Sequence, residues 1–101
     1  MSKIAKRQAK VPQLGDEGAL FGARLREMRI EQGLTQPEIA ARVGTSASNI
    51  SDLERGIKVP TLTTVARLAD ALKCNVSELV EVLDRIRYGH RKSRGRATGA
   101  G

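Results

Sequence analysis

At 101 residues the chain has the size of one small folded unit. With one Phe, one Tyr and no Trp, its core must be built from Leu, Ile, Val and Ala, which suits close helix packing better than a sheet. A single cysteine, Cys74, excludes an internal disulfide and a multi-thiolate zinc site within one chain. The formal net charge of +7 hides a split, because residues 1–15 hold four Lys/Arg and residues 87–101 hold five, neither with an acid, while residues 16–86 hold nine basic and eleven acidic side chains.

These shifts divide the chain into a basic flexible arm (1–15), a folded body (16–88) and a basic, glycine-rich flexible tail (89–101). Lys3, Lys6, Arg7 and Lys10 are not followed by an apolar run of signal-peptide length, and no segment approaches a membrane span. A cytoplasmic or nucleoid location is expected.

In chain order, Asp16-Glu17 precedes a segment in which Phe21, Leu25 and Met28 recur at i, i+4 and i+7, so an amphipathic helix is predicted over 19–32 and Gly33 closes it. Thr35 then offers an N-cap oxygen, Pro37 falls in the first turn where its missing N–H costs nothing, and Glu38 completes a Thr-x-x-Glu capping box. Leu34 and Ile39 flank that cap as a hydrophobic staple. With Ile39, Ala40 and Val43 inward and Gly44 at the left-handed terminus, the second helix spans 36–43. Ser46 caps a third helix whose inward residues are Ile50 and Leu53 and which Gly56 stops after Arg55.

Two short capped helices joined by a glycine turn, over residues 36–55, make a helix-turn-helix, the unit that presents the outer face of its second helix to a DNA major groove. Pro60-Thr61 opens a fourth helix over 62–72, with Leu62, Val65, Leu68, Ala69 and Leu72 inward. Asn75 and Glu78 form a capping box for a fifth, with Cys74 and Leu79 as its staple, running to about residue 88. Val76, Leu79, Val80, Leu83 and Ile86 make an apolar stripe broader than a short helix can bury on a small bundle. Val80, Leu83, Ile86 and Tyr88 are therefore expected at an interface with a second subunit.

The stretch from Leu34 to Gly56 resembles the Cro/CI-repressor type of helix-turn-helix, the lambda-repressor-like or XRE family of bacterial and phage regulators. Arg24-Leu25-Arg26-Glu27-Met28-Arg29, Glu31-Gln32-Gly33-Leu34-Thr35-Gln36, Leu53-Glu54-Arg55-Gly56 and Leu68-Ala69-Asp70-Ala71-Leu72 extend the likeness over residues 20–83. The resemblance implies an all-α, five-helix DNA-binding domain. It also implies that Arg29 and Glu54 form a structural ion pair between the first and third helices, and that Gln36 contacts DNA. Lys73 departs from the pattern, standing where the family usually has a terminating glycine.

The base-reading surface is expected on the outward face near the start of the third helix: Thr45, Ser46, Ala47, Ser48, Asn49, Ser51 and Asp52. Ala47 offers a methyl to a thymine methyl, Ser48 bonds almost any base edge, an outward Asn49 pairs with adenine, and Asp52 accepts from a cytosine amino group. No Arg or Gln stands there for bidentate readout, so phosphate contacts, tails, water and DNA shape must supply much of the binding. Arg55 and Lys58 are placed on phosphates, and so are the basic tails.

The sole histidine, His90, lies in the basic tail and Cys74 has no base beside it, so no enzyme, cofactor or metal site is expected. Two classes of function remain. One is a sequence-specific transcriptional regulator, repressing or activating, that binds double-stranded DNA as a homodimer on a two-fold operator. The other is an interaction protein of the same fold, such as the antitoxin of a toxin pair or an adaptor touching a polymerase subunit; its expected acidic or apolar extension is replaced here by basic ones.

Overall fold

A computed structural model describes residues 11–87, and its second, third and fourth helices begin where a side-chain oxygen accepts from one of the first free N–H groups. Helix α1 (Glu17–Glu31) starts two residues earlier than the apolar period alone predicts. Its leading acids explain the extension: Asp16 Oδ2 accepts from the Gln13 N–H at 2.8 Å and Glu17 Oε1 from the Gly15 N–H at 2.9 Å, fastening the preceding turn to the helix.

Helix α2 (Gln36–Val43) has the predicted boundaries. Thr35 Oγ1 accepts from the Glu38 N–H at 3.1 Å, Glu38 Oε1 accepts from the Thr35 N–H at 2.7 Å, and Gly44 ends the helix at φ 88°. Helix α3 (Ala47–Glu54) is capped by Ser46, whose Oγ accepts from the Asn49 N–H at 3.0 Å. Helix α4 (Leu62–Ala71) is capped in the same way by Thr61. Lys73 takes the left-handed conformation, φ 55°, that a glycine adopts more cheaply.

Four expectations need correction. Leu62 does not point inward; it is 88% exposed, because the buried face of α4 begins one turn later at Val65. The fifth helix does not reach residue 88: α5 spans Val76–Val80, tightens into a 3-10 helix over Glu81–Arg85, and turns extended at Ile86. That change of direction buries Ile86, 5% exposed, inside its own subunit and brings the Arg87 N–H to the Pro12 carbonyl at 2.8 Å. Residues 11–15, assigned to the flexible arm, thus belong to the fold, with Gln13 and Arg87 forming a parallel bridge. Tyr88 and the remainder of the tails, residues 1–10 and 88–101, lie outside the described residues.

The core joins Phe21, Leu25 and Met28 of α1 to Ile39, Ala40 and Val43 of α2, Ile50 and Leu53 of α3, Val65, Leu68, Ala69 and Leu72 of α4 and its C-cap, and Leu79 of α5. Cys74 lies half-buried at its margin, where burial first and Glu78 second push the thiol pKa up, which suits packing rather than nucleophilic chemistry.

Glycine 22 sets how closely α1 crosses the end of α3. A Cβ there would fall 2.2 Å from the Leu53 carbonyl oxygen and 2.7 Å from that of Glu54, so only hydrogen fits. Elsewhere in the fold, polar side chains complete the carbonyl ends of neighbouring segments. Arg24 Nε donates to the Glu78 carbonyl at 3.0 Å, Gln32 Nε2 to Leu72 at 2.7 Å and Arg42 Nη1 to Ala71 at 3.2 Å.

Candidate nucleic-acid interface

The inner edge of the helix-turn-helix is built around a buried charge pair. Arg29 Nε and Nη2 donate to Glu54 Oε2 and Oε1 at 2.6 and 3.0 Å, a bidentate fork, and Arg29 Nη1 donates to the Leu34 carbonyl at 2.7 Å. The side chains are 11% and 2% exposed, so the pair links the ends of α1 and α3 to the start of α2 with little water present. The hydrogen bond to Glu54 raises the Arg29 pKa above its ordinary value, against the opposing effect of burial. The ion pair expected from the sequence is present, and it reaches one residue further than expected.

That residue is Gln36. Its Nε2 donates to Glu54 Oε1 at 3.0 Å, so the amide is half-buried and held by the ion pair instead of standing free at the helix start. A second amide proton and the Gln36 carbonyl oxygen remain as bonding capacity beyond that contact. Sequence alone offered no signal for the tether, since Gln36 and Glu54 are eighteen positions apart.

The outer face of α3 is different in kind. Thr45, Asn49 and Asp52 follow one another at i, i+4 and i+7, with Ser48 and Arg55 beside them. Asn49 Nδ2 donates to Thr45 Oγ1 at 3.0 Å while its Oδ1 accepts from Lys58 Nζ at 3.1 Å. This corrects the picture of an Asn49 directed outward for adenine: the amide is half-buried and engaged at both ends. Asp52 Oδ1 accepts from Arg55 Nη2 at 3.2 Å and its Oδ2 lies 3.7 Å from Lys58 Nζ.

Ser46 is exposed but its hydroxyl is committed to the cap, Ser48 is exposed, and Thr45, Ala47, Ser51 and Asp52 are half-buried. Of the ten residues assigned to DNA contact, Thr45, Asn49, Asp52, Arg55 and Lys58 are thus joined in one bonded set, while Gln36 is tied to Glu54 on the inner edge. The backbone explains why Lys58 joins that set. Gly56 turns at φ 75°, and the Asp52 carbonyl accepts from the N–H groups of Ile57 at 3.0 Å and Lys58 at 3.4 Å, folding the loop back over α3. Among the described residues no cluster of His, Cys, Asp and Glu is arranged to hold a metal ion, and no helix is long and apolar enough to cross a membrane.

Two helices packed through a glycine turn, the second carrying short polar side chains with two cations just beyond its end, define a helix-turn-helix DNA-binding protein. The chain belongs to the helix-turn-helix domain family, whose model matches residues 20–82. It is 42% identical over 76 residues to an uncharacterized HTH-type transcriptional regulator, y4dJ, of Sinorhizobium fredii, covering 75% of this chain and 99% of the relative. It is 33% identical over 61 residues to the transcriptional repressor RstR of a cryptic CTXphi phage in Vibrio cholerae, covering 60% of this chain and 55% of the repressor.

Among solved structures it is similar to the restriction-modification controller protein C.AhdI of Aeromonas hydrophila, with a TM-score of 0.59 and 38% identity over 60% of this chain and 92% of that one. It matches the P22 c2 repressor, solved in complex with a synthetic operator, with a TM-score of 0.59 and 30% identity over 62% of this chain and 96% of the other. The lambda-repressor-like reading of the sequence holds. The chain is a DNA-binding transcriptional regulator of a family that is not an enzyme family.

Proposed function

We propose that the protein occupies a two-fold operator as a homodimer, setting α3 of each subunit into successive major grooves about 34 Å apart. The observation that carries this reading is the face of α3 from Thr45 to Asp52, with short side chains where a groove floor would lie and Arg55 and Lys58 drawn against its end by Asp52. In this arrangement Gln36, Arg55 and Lys58 hold phosphates, while Thr45, Ala47, Ser48, Ser51 and Asp52 meet base edges. The basic tails add phosphate attraction that the body, with nine basic against eleven acidic residues over 16–86, lacks.

Footprinting upstream of the gene and its neighbours locates the operator. Mobility-shift titrations then compare variants on that site and on a scrambled duplex. Gln36→Ala is expected to weaken both by similar factors, and Ser48→Ala to change the preference between them, by up to about tenfold for one lost base contact. A Gln36→Ala variant that alters base preference alone refutes the assignment.

For the subunit contact the reading moves away from Ile86, which is spent inside the fold, and onto an apolar groove of about 210 Å³ lined by Phe21, Val59, Leu62, Val80 and Leu83, with Glu17 at its side. Val59 and Leu62 are 69% and 88% exposed, and Val80 and Leu83 are half-buried, so a second copy of the chain would gain the burial that one copy leaves unfilled. Leu62→Asp is expected to leave thermal stability within about 0.5 kcal/mol while shifting the sedimenting mass to monomer and weakening operator binding. A Leu62→Asp protein that stays dimeric removes this groove from the interface.

A further inference from the structure

Asp52 is the one acid on the outer face of α3, and it lies against both cations that should grip the DNA backbone. We propose that Asp52 is an electrostatic gate for sequence discrimination: in the free protein it clamps Arg55 and Lys58, and it releases them at full benefit only on DNA that offers its carboxylate a hydrogen-bond donor. The inference deepens the DNA-binding reading and rests on it.

The geometry gives the clamp its partners. Arg55 approaches one carboxylate oxygen at 3.2 Å and Lys58 the other at 3.7 Å, while Asn49, itself donating to Thr45, holds Lys58 Nζ at 3.1 Å from the opposite side. The Asp52 carbonyl reinforces the arrangement by accepting from the Lys58 backbone N–H. Arg55 and Lys58 side chains remain 63% and 53% exposed, so these pairs are weak enough for a phosphate to displace.

Displacement has a consequence for Asp52. When both cations turn to phosphates, the carboxylate is left facing the groove with its countercharges withdrawn. A cytosine or adenine amino group in the major groove restores a donor; a guanine or thymine oxygen in the same place presents an acceptor to an acceptor. Wrong sequences are therefore penalised by repulsion, and the absence of Arg or Gln from this surface ceases to be a deficit of information.

Anisotropy titrations of a random-sequence duplex at low salt, with the full chain, test the gate. Asp52→Asn is expected to tighten binding to random DNA by roughly three- to thirtyfold, the range of two freed exposed ion pairs. Its gain on the footprinted operator should be smaller, so that the ratio between the two falls. In an Arg55→Gln, Lys58→Gln background the same change should tighten random binding less than about twofold, since a gate without its cations has nothing to hold.

A gain that persists undiminished in that background marks a bulk charge effect and overturns the proposal, as does an Asp52→Asn protein that binds random DNA no better than the wild type. A wild type that binds no duplex at low salt overturns the DNA-binding reading and the gate together. A wild type that binds well but matches Asp52→Asn on both duplexes overturns the gate alone. Helical circular dichroism of Asp52→Asn and Asp52→Ser, both changes on the half-exposed face, is expected to match the wild type.

Discussion

Glu54 and Asp52 stand two positions apart on α3, each bonded to an arginine, and they do opposite work. Glu54 faces inward, 2% exposed at its side chain, and holds Arg29 through two bonds at 2.6 and 3.0 Å. Asp52 faces outward, 25% exposed, with its cations at 3.2 and 3.7 Å. The same charge chemistry is a fixed joint where water is excluded and an exchangeable contact where water competes. A helix of eight residues can thus be anchored along one side and remain adjustable along the other.

The inner side can be broken most severely at Gly22. Gly22→Ala puts a methyl 2.2 Å from a backbone oxygen, and because that oxygen belongs to α3 itself, the helix must shift. The expected loss is about 3 kcal/mol in urea unfolding, despite the better intrinsic helix propensity of alanine. A Gly22→Ala protein as stable as the wild type would show that α1 and α3 do not approach this closely in solution.

Glu54→Ala sharpens the contrast directly. It strands the Arg29 guanidinium in a nearly dry site and frees Gln36, with an expected cost of about 3 kcal/mol, whereas Asp52→Ala should stay within about 0.5 kcal/mol. The two denaturation midpoints measured side by side decide it, and equal losses would dissolve the distinction between the faces.

The smallest effect is on pH. Glu38 accepts from the Thr35 N–H, which holds its carboxyl below the ordinary glutamate value. A depressed folded-state pKa stabilises the protein above the unfolded pKa, and that contribution is lost as the pH falls through the folded one. Urea midpoints of the wild type should therefore decline more steeply than those of Glu38→Gln as the pH drops below the glutamate range. Parallel slopes would mean that the capping carboxylate contributes nothing in solution.

What the sequence discloses follows the range of the interactions. Caps, turns and apolar periods act within about four residues, so α2 and the start of α3, set by Thr35, Gly44 and Ser46, are legible in the sequence, and the end of α3 at Glu54 to within one residue. The end of the fifth helix is not, because the same apolar residues fit a longer helix or one that breaks to bury Ile86, and the contacts that accompany the break, such as Arg87 N–H on the Pro12 carbonyl, are distant in the sequence. Gly18 and Gly22 carry a readable signal of their own: two glycines four apart inside a helix mark a close crossing rather than a weak helix.

Site residues divide the same way. The places of these side chains along α2 and α3 follow from the caps and turns, while the bonds that orient Gln36 and Asn49 depend on partners eighteen and nine positions away.

The bond from the Arg87 N–H to the Pro12 carbonyl, 2.8 Å long, joins points seventy-five residues apart in the chain. Four cations precede it, at Lys3, Lys6, Arg7 and Lys10, and four follow it, at Arg91, Lys92, Arg94 and Arg96. Both basic segments are therefore moored to a single post. Two runs of like charge, separated by most of the sequence, therefore leave the folded body from one place.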